Sequence, residues 1–396
     1  MAKKDLLIRH IMRQHGQKTE GLISWHFRNV MINAEGTTTT TLPFIQNAEH
    51  VSRYIYLDEQ IKKDIDAASR HHPLKIPEHY IGIMDKNNPL CPIRKQSIPS
   101  SEELMNKGGL DPLNEKDYSV TPAFIKKYRG RGVFLVNAEC AMHCRFCNRR
   151  RFVGREWNPK KYWEETLRYI ENNDEIHEVI LSGGDPFMLS PSELNYLLKR
   201  LRAIVRIKTI RISTRVPLVF PEGLHENHLT AIRNNSPIWI IIHINHPKEI
   251  TPAFVEKIKR FREVGGIILS QTVLLRGVND CPYILQKLFE NLVCWGVKPY
   301  YLFQLDEVRG AMHFKVKVQK GIEIMRFLRK NVSGLALPHY VFDIPGGLGK
   351  VPVDYRYMKK RKADNIYLEG FSGTTGVYCD DGKESRCIEC GLCKGA

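Results

Sequence analysis

The chain has 396 residues, which exceeds the usual length of a single domain but is common among barrel enzymes. Hydrophobic residues make up 42% of it, no stretch is long and apolar enough to cross a membrane, and the start Met1-Ala-Lys-Lys lacks a secretory signal, so we predict a soluble, cytoplasmic protein with no membrane partner. The net charge of +17 suits nucleic acid, acidic protein or anionic ligands alike, and the basic residues are scattered without an RNA-binding signature.

The chain divides into three predicted regions. Residues 1–125 predict an N-terminal helical region without a recognisable catalytic motif, and residues 351–396 a short Cys-rich tail that contacts a neighbouring subunit. Between them, short β-branched runs alternate with helical patterns. The predicted strands are 133–136, 178–181, 209–213, 238–244, 267–274 and 300–305, and the predicted helices are 159–172, 192–205, 252–264 and 283–295. Residues 126–350 therefore predict an α/β fold, a partial (β/α)6 barrel of parallel strands.

A Cys-x3-Cys-x2-Cys triplet, formed by Cys140, Cys144 and Cys147, follows the first predicted strand. Three thiolates at this spacing can bind three irons of a [4Fe–4S] cluster and leave the fourth iron open, whereas ordinary ferredoxin sites use four cysteines. A zinc knuckle is the alternative, although zinc sites more often show paired Cys-x2-Cys units and a fourth ligand. The chain has ten cysteines, and the grouping of seven of them in two clusters favours metal chemistry over disulfides.

Two glycine-containing motifs lie further along. Gly183-Gly184-Asp185 ends the second predicted strand, where the absence of side chains lets a ligand approach the backbone. The loop from Asp343 to Lys350 reads Asp-Ile-Pro-Gly-Gly-Leu-Gly-Lys, and Val351 in place of Ser or Thr departs from a P-loop. A lysine on such a loop can bind pyridoxal phosphate (PLP) covalently, and a plain turn lysine is the alternative.

Taken together, these motifs resemble the lysine 2,3-aminomutases, which are radical S-adenosylmethionine (SAM) enzymes that also use PLP. The resemblance rests on residues 140–152, 271–281 and 299–301 and on the loop ending at Lys350, which occur in the family's order. It implies an isomerase that moves the α-amino group of L-lysine to the β-carbon. The resemblance further implies a [4Fe–4S] cluster, SAM, PLP and zinc, reduced flavodoxin or ferredoxin as electron donor, and a homo-oligomer, either a dimer or a tetramer.

Matching the family's motifs residue by residue implies the cofactor contacts. The [4Fe–4S] cluster is assigned to the Cys triplet. The PLP and SAM contacts are Lys350 for covalent PLP binding, Arg131 and Lys127 for the PLP phosphate, Gly183, Gly184 and Asp185 for SAM, and Gln271 and His243 near SAM and PLP. The family has an arginine where this chain has Lys127, which keeps the charge but loses the bidentate fork.

The substrate contacts follow from the same match. Arg149 corresponds to the arginine that pairs with the substrate α-carboxylate, and Asp306 and Asp343 to two aspartates that bind the side-chain ammonium of lysine. Arginine or ornithine would also fit two carboxylates. Lysine destined for elongation factor P is a further alternative with the same chemistry. A radical SAM enzyme that modifies RNA would suit the charge of +17 but leaves the Lys350 loop unexplained.

The tail contains Cys379, Cys387, Cys390 and Cys393, and the family binds zinc through tail cysteines and one cysteine at the position of Cys281. The tail spacing here is wider than in the family, and its last three cysteines also resemble half of a ferredoxin motif. We predict a structural zinc site, with a second iron–sulfur cluster as the alternative and free cysteines as the third interpretation.

Overall fold

The computed structural model describes residues 30–32, 38–40, 44–353, 356, 358–370 and 373–380. Its strands are β1 (Val30–Ile32), β2 (Thr38–Thr40), β3 (Phe44–Ile45), β4 (Ile76–Pro77), β5 (Ser119–Thr121), β6 (Phe124–Tyr128), β7 (Arg131–Asn137), β8 (Glu178–Gly183), β9 (Thr209–Thr214), β10 (Ile238–His243), β11 (Gly266–Leu274), β12 (Lys298–Gln304), β13 (His339–Ile344), β14 (Gly349–Pro352), β15 (Met358–Lys362), β16 (Asn365–Glu369) and β17 (Thr375–Cys379). Its helices are α1 (Ala48–Ser52), α2 (Glu59–Ser69), α3 (Glu78–Gly82), α4 (Pro92–Ser97), α5 (Trp163–Glu171), α6 (Pro191–Ala203), α7 (Val216–Val219), α8 (Glu226–Asn234), α9 (Pro252–Glu263), α10 (Pro282–Cys294) and α11 (Val318–Asn331).

Ten strands form one sheet in the order β14-β13-β12-β11-β10-β9-β8-β7-β6-β5. The strands from β7 to β13 are parallel, and β5, β6 and β14 are antiparallel additions at the two edges. The predicted α/β class with a large parallel sheet is therefore confirmed. The six predicted strands correspond to β7–β12, and β13 is a seventh parallel strand that the sequence analysis did not predict.

The sequence explains why these strands lie at the centre. β10 reads Ile-Trp-Ile-Ile-Ile-His, an almost unbroken apolar run, as expected of a parallel strand that is covered on both faces. Each crossover between neighbouring parallel strands carries a helix whose apolar side is buried. The start of α6 shows the local signals well, because Ser190 and Glu193 form a capping box and Pro191 occupies the first helical position.

The sheet curves but stays open in the described part of the chain. Its edges are β5 and β14, and no ladder joins them. The backbone N–H of Lys350 in β14 donates to the hydroxyl of Tyr128 in β6 at 2.9 Å, so the two ends of the sheet approach each other through a side chain. The curvature encloses a space between the strands.

Smaller elements flank this sheet. The described part of the N-terminal region contains α1–α4 and short strands, and residues such as Val51, Ile65 and Tyr80 belong to the same hydrophobic core as the parallel strands. Strands β15–β17 form a separate antiparallel sheet, which contacts α11 through an ion pair of 3.0 Å between Arg326 and Glu369. Among the described residues, no helix has the length and apolarity needed to cross a membrane.

Candidate active site

A cavity of about 400 Å³ lies within the curved sheet. All the residues that the sequence analysis assigned to the iron–sulfur cluster, SAM, PLP and substrate line it. They are Lys127, Arg131, Cys140, Cys144, Cys147, Arg149, Gly183, Gly184, Asp185, His243, Gln271, Asp306, Asp343 and Lys350. Many of them follow the carboxyl ends of parallel strands, which is where such folds gather their chemistry.

The three cysteines of the triplet lie in the loop after β7. Burial raises the pKa of the Cys140 thiol, and the neighbouring thiols of Cys147 and Cys144 raise it further. Burial likewise raises the pKa of Cys144 to about 11. In the part of the chain that the structure describes, no three His, Cys, Asp or Glu side chains converge at metal-ligand spacing. Three buried thiols in one pocket nevertheless fit a cationic iron centre, since it would offset the cost of ionising them together.

Gly183 and Gly184 lie at a close crossing of backbones. Gly183 has φ of 111°, and a Cβ there would lie 2.5 Å from the carbonyl oxygen of Asn137. A Cβ on Gly184 would lie 2.1 Å from the carbonyl oxygen of Glu139. Only glycine fits at these two positions, so the loop after β8 passes directly under the Cys loop and presents bare backbone to the cavity.

Asp185 holds this arrangement together. Its carboxylate accepts hydrogen bonds from the Thr214 hydroxyl at 2.8 Å and from the backbone N–H groups of Phe187, Arg215 and Val216 at 3.1, 2.6 and 3.1 Å. These donors occupy the carboxylate, so Asp185 ties the end of β8 to the end of β9. The structure thus places the predicted SAM residue at the cavity but in an anchoring position.

Each guanidinium nitrogen of Arg149 donates to a neighbouring side chain. Its Nε and Nη2 donate to Glu115 Oε1 at 3.0 and 2.7 Å, and its Nη1 donates to the Ser182 hydroxyl at 3.0 Å. Burial alone would raise the pKa of Glu115, but Arg149 and Arg151 outweigh it and hold that pKa at about 2. Glu115 is therefore a permanent anion that fixes the guanidinium, and the sequence analysis missed it.

Asp306 and Asp343 face the cavity from the ends of β12 and β13. Burial raises the pKa of Asp306 to about 7, and the Asp343 carboxylate adds to the rise. The Asn148 amide donates to Asp306 Oδ2 at 2.8 Å, which favours the ionised form only in part. Two carboxylates in a largely dry pocket repel each other, so the pair favours a bound cation.

Lys350 points into the same cavity as that pair. Its Nζ lies 3.7 Å from Asp343 Oδ2 and 4.1 Å from the ring centre of Phe303. Burial lowers the pKa of Lys350, and Arg131 and Arg211 lower it further against the opposing effect of the aspartates. A lysine whose pKa is lowered gives up its proton more readily, which suits covalent attachment to an aldehyde cofactor.

Positive charge collects at the amino ends of the strands. Arg131 begins β7, Lys127 lies near the end of the antiparallel neighbour β6, and Arg211 lies in β9, and all three line the cavity. Arg131 stacks on the Tyr128 ring at 4.0 Å, and Arg211 pairs with Glu178. This end of the cavity therefore fits a phosphate, and Arg211 is a further lining cation that the sequence analysis did not identify.

The remaining predicted residues lie on neighbouring strands. His243 and Gln271 are directly paired in the register of β10 and β11, so their side chains point to the same face and into the cavity. Burial lowers the pKa of His243, and the charge of Arg215 lowers it further, which favours a neutral imidazole. Arg215 was also missed, although its position directly after β9 obeys the same rule that located the Cys triplet.

Of the predicted zinc ligands, the two that the structure describes do not line this cavity. Cys281 precedes α10, and Cys379 is exposed at the end of β17. Cys387, Cys390 and Cys393 lie outside the described residues. The zinc site, its ligand set and the alternative of a second cluster therefore stay predictions.

Comparison with known proteins gives a consistent result. Residues 135–285 match the model of the radical SAM superfamily, and residues 325–390 match that of lysine-2,3-aminomutase. The L-lysine 2,3-aminomutase of Methanococcus maripaludis is 39% identical over 86% of this chain and 80% of its own, and that of Clostridium subterminale is 34% identical over 89% and 85%. A glutamate 2,3-aminomutase of Clostridioides difficile is 32% identical over 83% and 79%.

Proposed function

The chain belongs to the lysine 2,3-aminomutase family of radical SAM enzymes, and from this membership we propose that it converts L-lysine to L-β-lysine by moving the α-amino group to the β-carbon. It is an enzyme of the isomerase class. The family implies an iron–sulfur cluster and SAM, and its lysine aminomutases imply PLP. What remains to be proposed for this chain is the substrate and the residues that bind it.

The cavity offers a separate set of residues to each of these groups. Cys140, Cys144 and Cys147 would hold the cluster, and Lys350 would hold PLP, with its phosphate toward Arg131. When bound, the cluster and SAM supply the radical that removes a substrate hydrogen atom, and PLP supplies the π-system that supports amino-group migration. The protein's own part is to bind and orient the substrate and to keep water out of the cavity.

The presence of both Asp306 and Asp343 in the cavity is the observation that carries the choice of substrate. Both line the cavity near Lys350, and burial together with the Asp343 carboxylate raises the pKa of Asp306 to about 7. A side-chain ammonium placed between them relieves that repulsion. Lysine is therefore favoured over an acidic substrate, because a second carboxylate there would add a third negative charge.

Arg149 supports an α-amino acid as substrate. Glu115 occupies its Nε–Nη2 edge, and the Ser182 hydroxyl accepts from Nη1, so the guanidinium is held in one orientation. The second N–H of each Nη remains for a carboxylate, and the planar fork suits that group. In this arrangement Arg149 binds one end of the substrate and the aspartates the other.

A panel of amino acids tests the proposal. The anaerobically reconstituted enzyme would receive PLP, SAM, dithionite and one of L-lysine, L-ornithine, L-arginine or L-glutamate, and mass spectrometry would detect the β-amino acid. We expect lysine to give the highest kcat/KM and glutamate to give no product. A preference for ornithine or arginine would leave the proposed reaction standing but would show that lysine is not the substrate. Preference for glutamate would contradict the role of the two aspartates.

A variant serves as the internal control of that panel. Replacing Asp343 with Asn removes one of the two charges but keeps the size and hydrogen-bonding capacity of the side chain. We expect the preference for lysine over glutamate to fall while SAM binding is retained. An unchanged preference would show that Asp343 does not select the substrate, even if the enzyme still forms a β-amino acid.

A further inference from the structure

Arg215 contacts the Gly183-Gly184-Asp185 loop and lines the cavity together with the Cys triplet. It follows the last residue of β9, and its backbone N–H donates to Asp185 Oδ2 at 2.6 Å, which ties it to the Gly183-Gly184-Asp185 loop. Its side chain is 9% exposed and lines the cavity together with Cys144. The guanidinium lies over the ring of Phe146, a residue of the Cys loop, so Arg215 approaches that loop from the end of β9.

Only part of the hydrogen-bonding capacity of the Arg215 guanidinium is satisfied by the described protein groups. Nη2 donates to Glu249 Oε1 at 2.6 Å, whereas Nε and Nη1 are buried and have no partner among the described residues. Glu249, in contrast, also accepts from the Tyr80 hydroxyl at 2.7 Å and from the backbone N–H groups of Asn245 and His246 at 2.8 and 2.9 Å. The carboxylate of this buried pair is satisfied, and the guanidinium retains donors for another acceptor.

An aromatic ring and an imidazole also lie near Arg215. Phe146 lies with its ring centre 5.4 Å from the guanidinium carbon, and His243 contacts the same ring edge-on at 5.4 Å. Nε2 of His243 is likewise buried without a partner among the described residues. A polar ligand is therefore needed to complete this part of the cavity, because an unsatisfied buried donor is costly.

Comparing Arg215 with Arg149 indicates which ligand each arginine binds. The Nε, Nη1 and Nη2 of Arg149 all have protein partners, and the adjacent Asn148 donates to Asp306. Arg149 thus lies toward the residues proposed for the substrate, whereas Arg215 is tied to the Gly-Gly-Asp loop. Arg149 and Arg215 therefore serve different parts of the cavity.

We propose that Arg215 binds the carboxylate of the methionyl part of SAM, with its Nε and Nη1 as the donors. This inference rests on the proposed function, because it takes the Cys triplet and the Gly-Gly loop as the SAM site. The shared chemistry is an α-amino acid carboxylate, which both SAM and lysine carry. The position of Arg215 favours SAM, and Glu249 is the positioning residue that holds the guanidinium in place.

Binding to the reconstituted, unreduced enzyme tests this without turnover. Equilibrium dialysis would measure the Kd of SAM and of decarboxylated SAM for the wild type and for Arg215→Gln. We expect the variant to bind SAM about 10- to 100-fold more weakly, because it loses charge-assisted hydrogen bonds, and to bind the decarboxylated analogue about as the wild type does. Equal losses for both ligands would overturn the proposal.

A second ligand pair separates the two sources of carboxylate. The same variant would be tested with L-lysine and 1,5-diaminopentane, its decarboxylated counterpart, in the PLP-loaded enzyme. We expect Arg215→Gln to leave their ratio of affinities unchanged and Arg149→Gln to reduce it. If Arg215→Gln reduced the lysine ratio and spared the SAM ratio, the proposal would be wrong and Arg215 would bind substrate.

Arg215→Lys guards against misfolding, since Arg215→Gln leaves Glu249 buried without its cation. Lysine keeps the charge but not the fork, so we expect a loss of SAM affinity smaller than that of Arg215→Gln, with the decarboxylated analogue again unaffected. An affinity loss shared equally by both ligands in this folded variant would also overturn the proposal. Absence of β-lysine from the wild type, with the SAM-specific loss intact, would contradict only the proposed substrate.

Discussion

The ionisation state of Asp306 should control how well the proposed substrate site binds a cation. This carboxyl is nearly enclosed, it lies beside Asp343, and the one amide that donates to it belongs to Asn148. These conditions raise its pKa to about 7, so part of the Asp306 population is protonated at neutral pH when no cation is bound. Binding of an ammonium group must then displace a proton.

Lysine binding should therefore weaken in mild acid. A carboxyl whose pKa is raised is neutral below that pKa and ionised above it, and only the ionised form pairs fully with an ammonium group. We expect the Kd of L-lysine to be constant above about pH 7.5 and to rise below pH 7, by up to about tenfold per pH unit. The measurement is lysine binding to the PLP-loaded, unreduced enzyme between pH 5.5 and 8.5.

Replacing Asp343 with Asn provides the control for that pH profile. The substitution removes the neighbouring charge that raises the pKa of Asp306, so the midpoint of the profile should move to lower pH while the affinity itself falls. A midpoint that stays near pH 7 in this variant would show that another group controls binding. The folding stability of the ligand-free protein should change in the opposite direction, because ionisation of the buried Asp306 lowers stability as the pH rises through its pKa.

At the scale of elements, residues 101–118 contain the acidic side chains that pair with arginines within and just after the Cys triplet. Glu103 bonds Arg145 through both carboxylate oxygens at 2.8 and 2.7 Å and also bonds Arg150 at 2.5 Å. Glu115 bonds Arg149 and Arg151 in the same way. The Cys loop is thus fixed by ion pairs to a segment that precedes it in the chain.

The Glu103 pairs should be the more costly to break, because Arg145 is fully buried. We expect Glu103→Gln to lower the free energy of unfolding by about 3–5 kcal/mol, the usual cost of leaving a buried charge without its partner. Urea unfolding followed by tryptophan fluorescence would measure it. Glu102→Gln is the matched control, since Glu102 is exposed and its ion pair with Arg276 spans 3.9 Å, and we expect a change within about 0.5 kcal/mol.

The elements of the sheet were predictable to different extents. Strands β7–β12 have β-branched runs that are separated by amphipathic helices, and their predicted limits agree with the structure to within two residues. Strand β13 was not predicted, because its short run from His339 to Ile344 merges with the Asp343 motif and lacks a following helix. Strands β5, β6 and β14 are short antiparallel additions whose pairing depends on distant parts of the chain.

At the scale of the molecule, the curved sheet separates two chemical environments within one cavity. The Cys triplet and Asp306 lie toward the carboxyl ends of the parallel strands, and Arg131 lies at the amino end of β7. Lys350 comes from β14 at the far edge of the sheet and is held near β6 by the Tyr128 hydroxyl. The geometry at Lys350 therefore depends on how tightly the two edges approach each other.

Tyr128→Phe tests that dependence. The variant keeps the ring on which Arg131 stacks but removes the hydroxyl that accepts the Lys350 N–H. We expect the Kd of PLP, followed by absorbance of the bound cofactor, to increase about 2- to 10-fold, as expected for one hydrogen bond. Tyr56→Phe changes a hydroxyl on a ring that is 83% exposed and should leave PLP binding unchanged. An equal Kd in Tyr128→Phe would contradict the role of this contact.

Sequence motifs identified most of the charged residues and cysteines that line the cavity, and Glu115 and Arg215 were missed for the same reason. The triplet, the glycines and Lys350 can be recognised from their spacing and residue type. Glu115 and Arg215 do not, because their significance arises from partners far away in the chain, Arg149 in one case and Glu249 in the other. Only the position of Arg215 directly after a strand carried a signal in the sequence.

The central claim is that this chain moves the α-amino group of lysine to the adjacent carbon. The direct test uses L-lysine labelled with ¹⁵N at the α-amino group and ¹³C at the β-carbon, given to the reduced, reconstituted enzyme with SAM and PLP, and followed by NMR. We predict a product in which the ¹⁵N nucleus is coupled to the ¹³C-labelled carbon. Formation of 5′-deoxyadenosine without any ¹³C–¹⁵N coupling would contradict the claim.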